Sequence, residues 1–190
     1  MSPHYTVVYD ACVLYPAPLR SFLMYLAVTD LYRARWSNLI HEEWIGNLLE
    51  QRPDLTREQL LRVRDLMNQH VRGSLVESFE PLIHSVELPD QGDRHVVACA
   101  IHCGAEAIVT FNLKDFPVAC LDRYGIRAVH PDDFLLDMLD LNASKVIEAA
   151  RNHRASLKNP PFTQDEYFDC LQKQRLPQMV SQLRQYAAII

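Results

Sequence analysis

Two hydrophobic rhythms divide this chain. Near the N-terminus, Tyr5 to Tyr9 (YTVVY) is short, β-branched and almost uniformly apolar, and Ala107 to Phe111 (AIVTF) repeats the pattern. Runs of this kind are strands covered on both faces, as in parallel sheets. IRAVH, Ile126 to His130, predicts a third short strand. Between them the apolar positions recur at helical spacing. Pro16 opens a helix through LRSFLMYLAV that is apolar all round and therefore buried. Ser37 caps a helix through about Leu49. Thr56 and Gln59 form a capping box for a helix ending near Gly73, and DRHVVACAIHCG reads as a helix closed by Gly104. A short helix is expected over Pro117 to Tyr124, while Ser74 to Asp90 carries no assignable period. Strand and helix alternate with short connections, which predicts an α/β fold with a central parallel sheet.

After His130 the strand pattern stops. PDDFLLDMLDL, NASKVIEAARNHRASL, TQDEYFDCLQKQ and LPQMVSQLRQYAA all carry helical spacing, and Asn159-Pro160-Pro161 breaks the run. The expected organisation is an α/β body over residues 1–140 and a helical C-terminal extension over 141–190. No internal repeat or low-complexity tract interrupts either part.

Charge sharpens that division. The whole chain carries −5, yet residues 151–190 hold six basic and three acidic side chains, a net +3. The remainder, with 13 basic and 21 acidic residues, stands at −8. An acidic body of this kind excludes a general nucleic-acid coat and suits a cation-binding site. The five cysteines form no C-x-x-C pair, and Cys99 and Cys103 read as small core residues, which fits a reducing compartment. The N-terminus lacks the features of a signal peptide, and no apolar run reaches membrane-spanning length. The expected location is the cytoplasm, away from membranes.

The acids stand where a parallel sheet places its ligands, beyond the carboxyl ends of strands. Asp10 ends the first strand, and Asn112 and Asp115 follow the AIVTF strand. Glu42 and Glu43 lie within the Ser37 helix; neighbours on a helix diverge by about 100°, so one of them faces solvent. Asp93 begins the helix at DRHVV, where capping is its ordinary structural role. Asp10 is the hardest to explain structurally, because a carboxylate beside a buried strand needs a partner or a metal. Several carboxylates without matching lysines or arginines repel one another unless a divalent cation neutralises them. Oxygen-only ligation suits Mg²⁺ or Mn²⁺. Such an acidic, cation-holding pocket is a recurring solution for phosphodiester hydrolysis.

In order, D-A-C-V-L-Y-P, I-x-E-E-W, D-R-H-V-V-A-C-A-I and I-V-T-F-N-L-K-D-F-P resemble the motifs of the PIN-domain ribonucleases, and within them the VapC-type toxins of toxin–antitoxin pairs. The resemblance covers about residues 5 to 135. It implies a PIN-like three-layer α/β/α fold and an endoribonuclease dependent on Mg²⁺ or Mn²⁺. The family acids fall on Asp10, Glu43 and Asp93; a fourth falls on Asn112, which carries no charge, so Asp115 is the expected substitute. Thr110 and Asn112 are expected in support, and Arg20, Arg94 and Lys114 are candidate contacts to RNA phosphates. The implied partners are an RNA substrate, a cognate antitoxin protein and a second copy in a homodimer. A catalytically degraded PIN domain that binds RNA or protein is the alternative, since Asn112 replaces an acid.

Overall fold

The computed structural model describes residues 5–190. Among these, the chain divides into two compact units: residues 5–15 with 32–130, and residues 16–31 with 131–190.

The first unit is built on a five-stranded sheet. Its strands are β1 (Thr6–Tyr9), β2 (Arg33–Ser37), β3 (Leu75–Val76), β4 (Ala107–Val109) and β5 (Arg127–Val129). All pair in parallel, in the order β3-β2-β1-β4-β5. The α/β class with a central parallel sheet is therefore observed. β1 is central, with Val8 paired to Arg35 on one side and to Ile108 on the other. The chain runs outward from β1 through β2 to β3, then returns to place β4 and β5 on the opposite side. The winding thus reverses between β1 and β4, which opens a crevice at their carboxyl ends.

Two strands were not expected from the pattern. β2, RARWS, alternates between Ala34 and Trp36, which are buried, and Arg33 and Arg35, which are more exposed. Its arginines disguise a strand whose inner face is as apolar as its neighbours'. β3 is only two residues long, in the stretch without a legible period, and is followed by a 3-10 turn over Glu80–Ser85.

Helices cover this sheet: α1 (Ala11–Leu14), α3 (Asn38–Gln51), α4 (Arg57–His70), α5 (Arg94–His102) and α6 (Val118–Leu121). The expected caps hold. Ser37 Oγ accepts the Ile40 amide, and Thr56 and Gln59 form the reciprocal capping box of α4. Gly104 takes φ +63 just beyond α5, a conformation that favours glycine. A buried polar network ties β2 to α3 and α4. The Trp36 indole donates to Asn68 Oδ1 at 2.7 Å, His41 Nε2 meets the same oxygen at 3.1 Å, and Trp44 donates to His41 Nδ1 at 3.0 Å. Burial accordingly pushes the His41 imidazole down to about 4, so it stays neutral.

The second unit is helical: α2 (Ala17–Ala27), α7 (Pro131–Leu141), α8 (Ala143–Ser156), α9 (Gln164–Lys173) and α10 (Pro177–Arg184). The boundary expected at residue 140 falls inside α7. The contacts instead divide the chain at 130/131 and draw α2 into the helical unit, because that helix packs against α8 and α9. No pattern in the local sequence marks such a long-range pairing. Asn142 and the Thr163–Glu166 box cap α8 and α9 as expected. The N-terminus of α10 has a less local cap. The buried Asp132 carboxylate accepts the Gln178 and Met179 amides at 3.0 and 2.9 Å. His153, fully buried, stacks on Phe22 at 5.7 Å and meets the Tyr167 hydroxyl at 3.1 Å.

No helix among the described residues is long and apolar enough to cross a membrane.

Candidate active site

Asp10 directly follows β1 and is 2% exposed. Its backbone amide donates to Val109 O at 3.1 Å, which fixes it at the β1/β4 crevice. Three donors hold its carboxylate. The Ala11 amide meets Oδ1 at 2.7 Å, and the Thr110 hydroxyl and Cys12 thiol meet Oδ2 at 2.7 and 3.0 Å. Burial raises the Asp10 carboxyl above its ordinary value, and Glu43 adds to that, whereas these three donors pull it back.

Thr110, fully buried at the end of β4, is the hub of this arrangement. While donating to Asp10 it accepts the Asn112 amide at 3.0 Å. Cys12 Sγ lies 3.3 Å from the Thr110 hydroxyl and accepts the Phe111 amide at 3.2 Å, so the loop after β4 is tied to the turn after β1. Burial, and then Asp10, push the Cys12 thiol upward, which keeps it protonated and able to donate. Cys12 was not among the expected site residues. Its signal was its position two residues beyond Asp10, shared with every D-x-C that has no role.

The remaining acids come from other elements. Glu42 and Glu43 separate as helical geometry requires: exposed Glu42 pairs with Arg57, and Glu43 turns the other way to meet His95 Nε2 at 3.2 Å. His95 is a second unexpected member, anchored two residues into the α5 motif. Asp93 occupies the N-cap position of α5 but makes no side-chain capping bond there. Its carboxyl is pushed up to about 6, first by partial burial and then by the charges of Asp10, Asp90, Glu43 and Asp115. That set joins residues from β1, α3, α5 and the turn after β4 in one negative field. Asp115 lies in the 3-10 turn Leu113–Asp115, and Asn112 is exposed just before it.

Among the described residues no lysine or arginine forms an ion pair with Asp10, Glu43, Asp93 or Asp115. Nor do three His, Cys, Asp or Glu side chains among them close on one point as a metal-holding group. The carboxylates of Asp10, Glu43 and Asp115 instead act on Asp93 through their charges. Of the candidate phosphate contacts, Lys114 is exposed beside Asp115, and Arg94 is half-buried with its Nε unpartnered. Arg20 differs: it is 8% exposed within the second unit, and burial lowers its guanidinium to about 10.

Comparison with known proteins gives two matches. Residues 131–185 match the family model of the VapC50 C-terminal domain. A 92-residue stretch, 48% of the chain, is 45% identical to "Putative ribonuclease VapC50" of Mycobacterium tuberculosis. Over these stretches the chain is similar to VapC50-type proteins. It spans about half the length of this curated relative, 54%. No solved structure matches it. The matched C-terminal segment begins at Pro131, where α7 and the helical unit's main segment begin.

Proposed function

We propose that this protein is a Mg²⁺- or Mn²⁺-dependent endoribonuclease and the toxin component of a toxin–antitoxin pair. The observation that carries the reading is that Asp10, Glu43, Asp93 and Asp115 come together at the topological switch point, where partial burial first and then the other carboxylates hold the Asp93 carboxyl near 6. The name of the Mycobacterium tuberculosis relative supports the same activity class.

The donor set is chemically suited to a hard divalent cation: carboxylate oxygens, without a competing lysine or arginine ion pair among the described residues. Asp10, Glu43, Asp93 and Asp115 would hold it. When bound, such a cation neutralises charge on the scissile phosphate and lowers the pKa of an attacking water. The chain's own contributions are positional. Thr110, Cys12 and the Ala11 amide fix Asp10, and His95 restrains Glu43. Lys114 is exposed to meet backbone phosphates, and Arg94 lies half-buried next to Asp93. The partners on this reading are single RNA strands and a cognate antitoxin, with homodimerisation as in such toxins, in the cytoplasm.

Incubation of the protein with total cellular RNA and Mg²⁺ or Mn²⁺ tests the reading. Cleavage is expected, and it is expected to vanish with chelator and in Asp10→Asn and Asp93→Asn. Cleavage at the parental rate by either variant overturns the site assignment.

A further inference from the structure

A groove of about 430 Å³ opens beside Glu43 and runs along α3. Glu43, Asn47 and Glu50 line one wall from successive turns of that helix, with Tyr15 and Gln51 at its sides and Asn112 toward the crevice. Its lining among the described residues comprises two carboxylates, three amide side chains, a tyrosine and the Cys12 thiol, and no lysine or arginine. Such a surface repels phosphate. It offers hydrogen-bond acceptors and an aromatic wall to a neutral, planar, amine-bearing group.

Gly46 supplies an independent observation. It lies inside α3 on the face shared by Glu43, Asn47 and Glu50, without the positive φ that would require glycine. A Cβ built there would meet nothing within 4 Å. Glycine inside a helix costs about 1 kcal/mol relative to alanine. Neither backbone conformation nor packing within the chain accounts for it, and its effect is a stretch of bare helix backbone next to the groove.

We propose that this groove is a base-reading subsite. It takes the nucleobase of an unpaired nucleotide adjacent to the cleaved phosphate and selects bases with an exocyclic amino group over uracil. The proposal rests on the ribonuclease reading. Glu50 accepts from the amino group, as carboxylates do from cytosine N4. Asn47 and Gln51 complete the edge contacts, and Tyr15 provides the stacking face. The absence of a Cβ at residue 46 lets the base approach the helix closely. Unpaired RNA is required because a base held in a duplex cannot enter.

Cleavage of a random-sequence single-stranded RNA pool, with cut sites read by sequencing, tests this. The parent is expected to disfavour uracil about tenfold at one position beside the cut, the discrimination of one good base contact. In Glu50→Ala and Gly46→Leu that preference is expected to fall below about threefold. Gly46→Ala is expected to raise the thermal midpoint by about 2–4 °C, since glycine is there at a cost to the helix. If the parent cuts no RNA, the ribonuclease reading falls and the subsite with it. If the parent cuts without a base preference at that position, or the preference survives both Glu50→Ala and Gly46→Leu, the subsite alone is overturned.

Discussion

Replacing Thr110 by valine removes one hydroxyl and almost no volume, yet that hydroxyl links three parts of the site. It donates to Asp10 Oδ2 at 2.7 Å and accepts the Asn112 amide at 3.0 Å, at a position with no solvent exposure. A hydrogen bond to a charged group contributes about 1.5–3 kcal/mol, and a donor left unpaired adds to the loss. The Cys12 thiol and Ala11 amide still hold Asp10, which limits the damage. Thr110→Val is therefore expected to destabilise the fold by about 2–3 kcal/mol in urea unfolding at pH 7, with an unchanged slope. Thr110→Ser, which keeps the hydroxyl, is expected to lose less than about 1 kcal/mol. RNA cleavage by the valine variant is expected to drop at least about tenfold, because Asp10 loses a restraint on the oxygen it shares with Cys12. If valine costs under about 0.5 kcal/mol, or serine behaves like valine, the hydroxyl is not the hub described above.

Two further predictions concern the helical unit. Asp132→Ala is expected to cost about 2–4 kcal/mol because it strips both amide contacts at the start of α10, whereas Asp133→Ala removes one exposed contact to Gln178 Nε2 and should cost under about 1 kcal/mol; paired urea titrations would show equal losses if the Asp132 cap is unimportant. Burial depresses the His153 imidazole to about 4 from its usual 6.5, so the folded state resists a proton that the unfolded chain accepts. Its contribution is therefore unaltered above pH 6.5 and turns destabilising as pH falls from there toward 4, by roughly 2 kcal/mol at pH 5. A His153→Phe variant should lose stability less steeply between pH 7 and 5 than the parent, and parallel curves would refute the assignment.

The local pattern carried most of this architecture. β1 and β4 were legible because strands covered on both faces are apolar throughout. The caps at Ser37, Thr56 and Thr163 were legible because capping uses side chains within three residues of the helix start. β2 was hidden by its arginines, and β3 by being only two residues long. The acids could be named from their place beside strand ends and helix starts. Which of Glu42 and Glu43 turns inward could not be settled by helical period alone, since both flanks of that helix carry apolar residues.

What the sequence determined by itself was therefore the composition of each element and the presence of acids at strand ends, since both follow from near-neighbour chemistry. Tertiary structure decided that β1 and β4 are adjacent, that α2 packs with helices more than a hundred residues away, and that Cys12 and Thr110 share one carboxylate oxygen. Those facts depend on which buried surfaces meet. The free energy of such meetings comes from the whole core, and no window of neighbouring residues contains it.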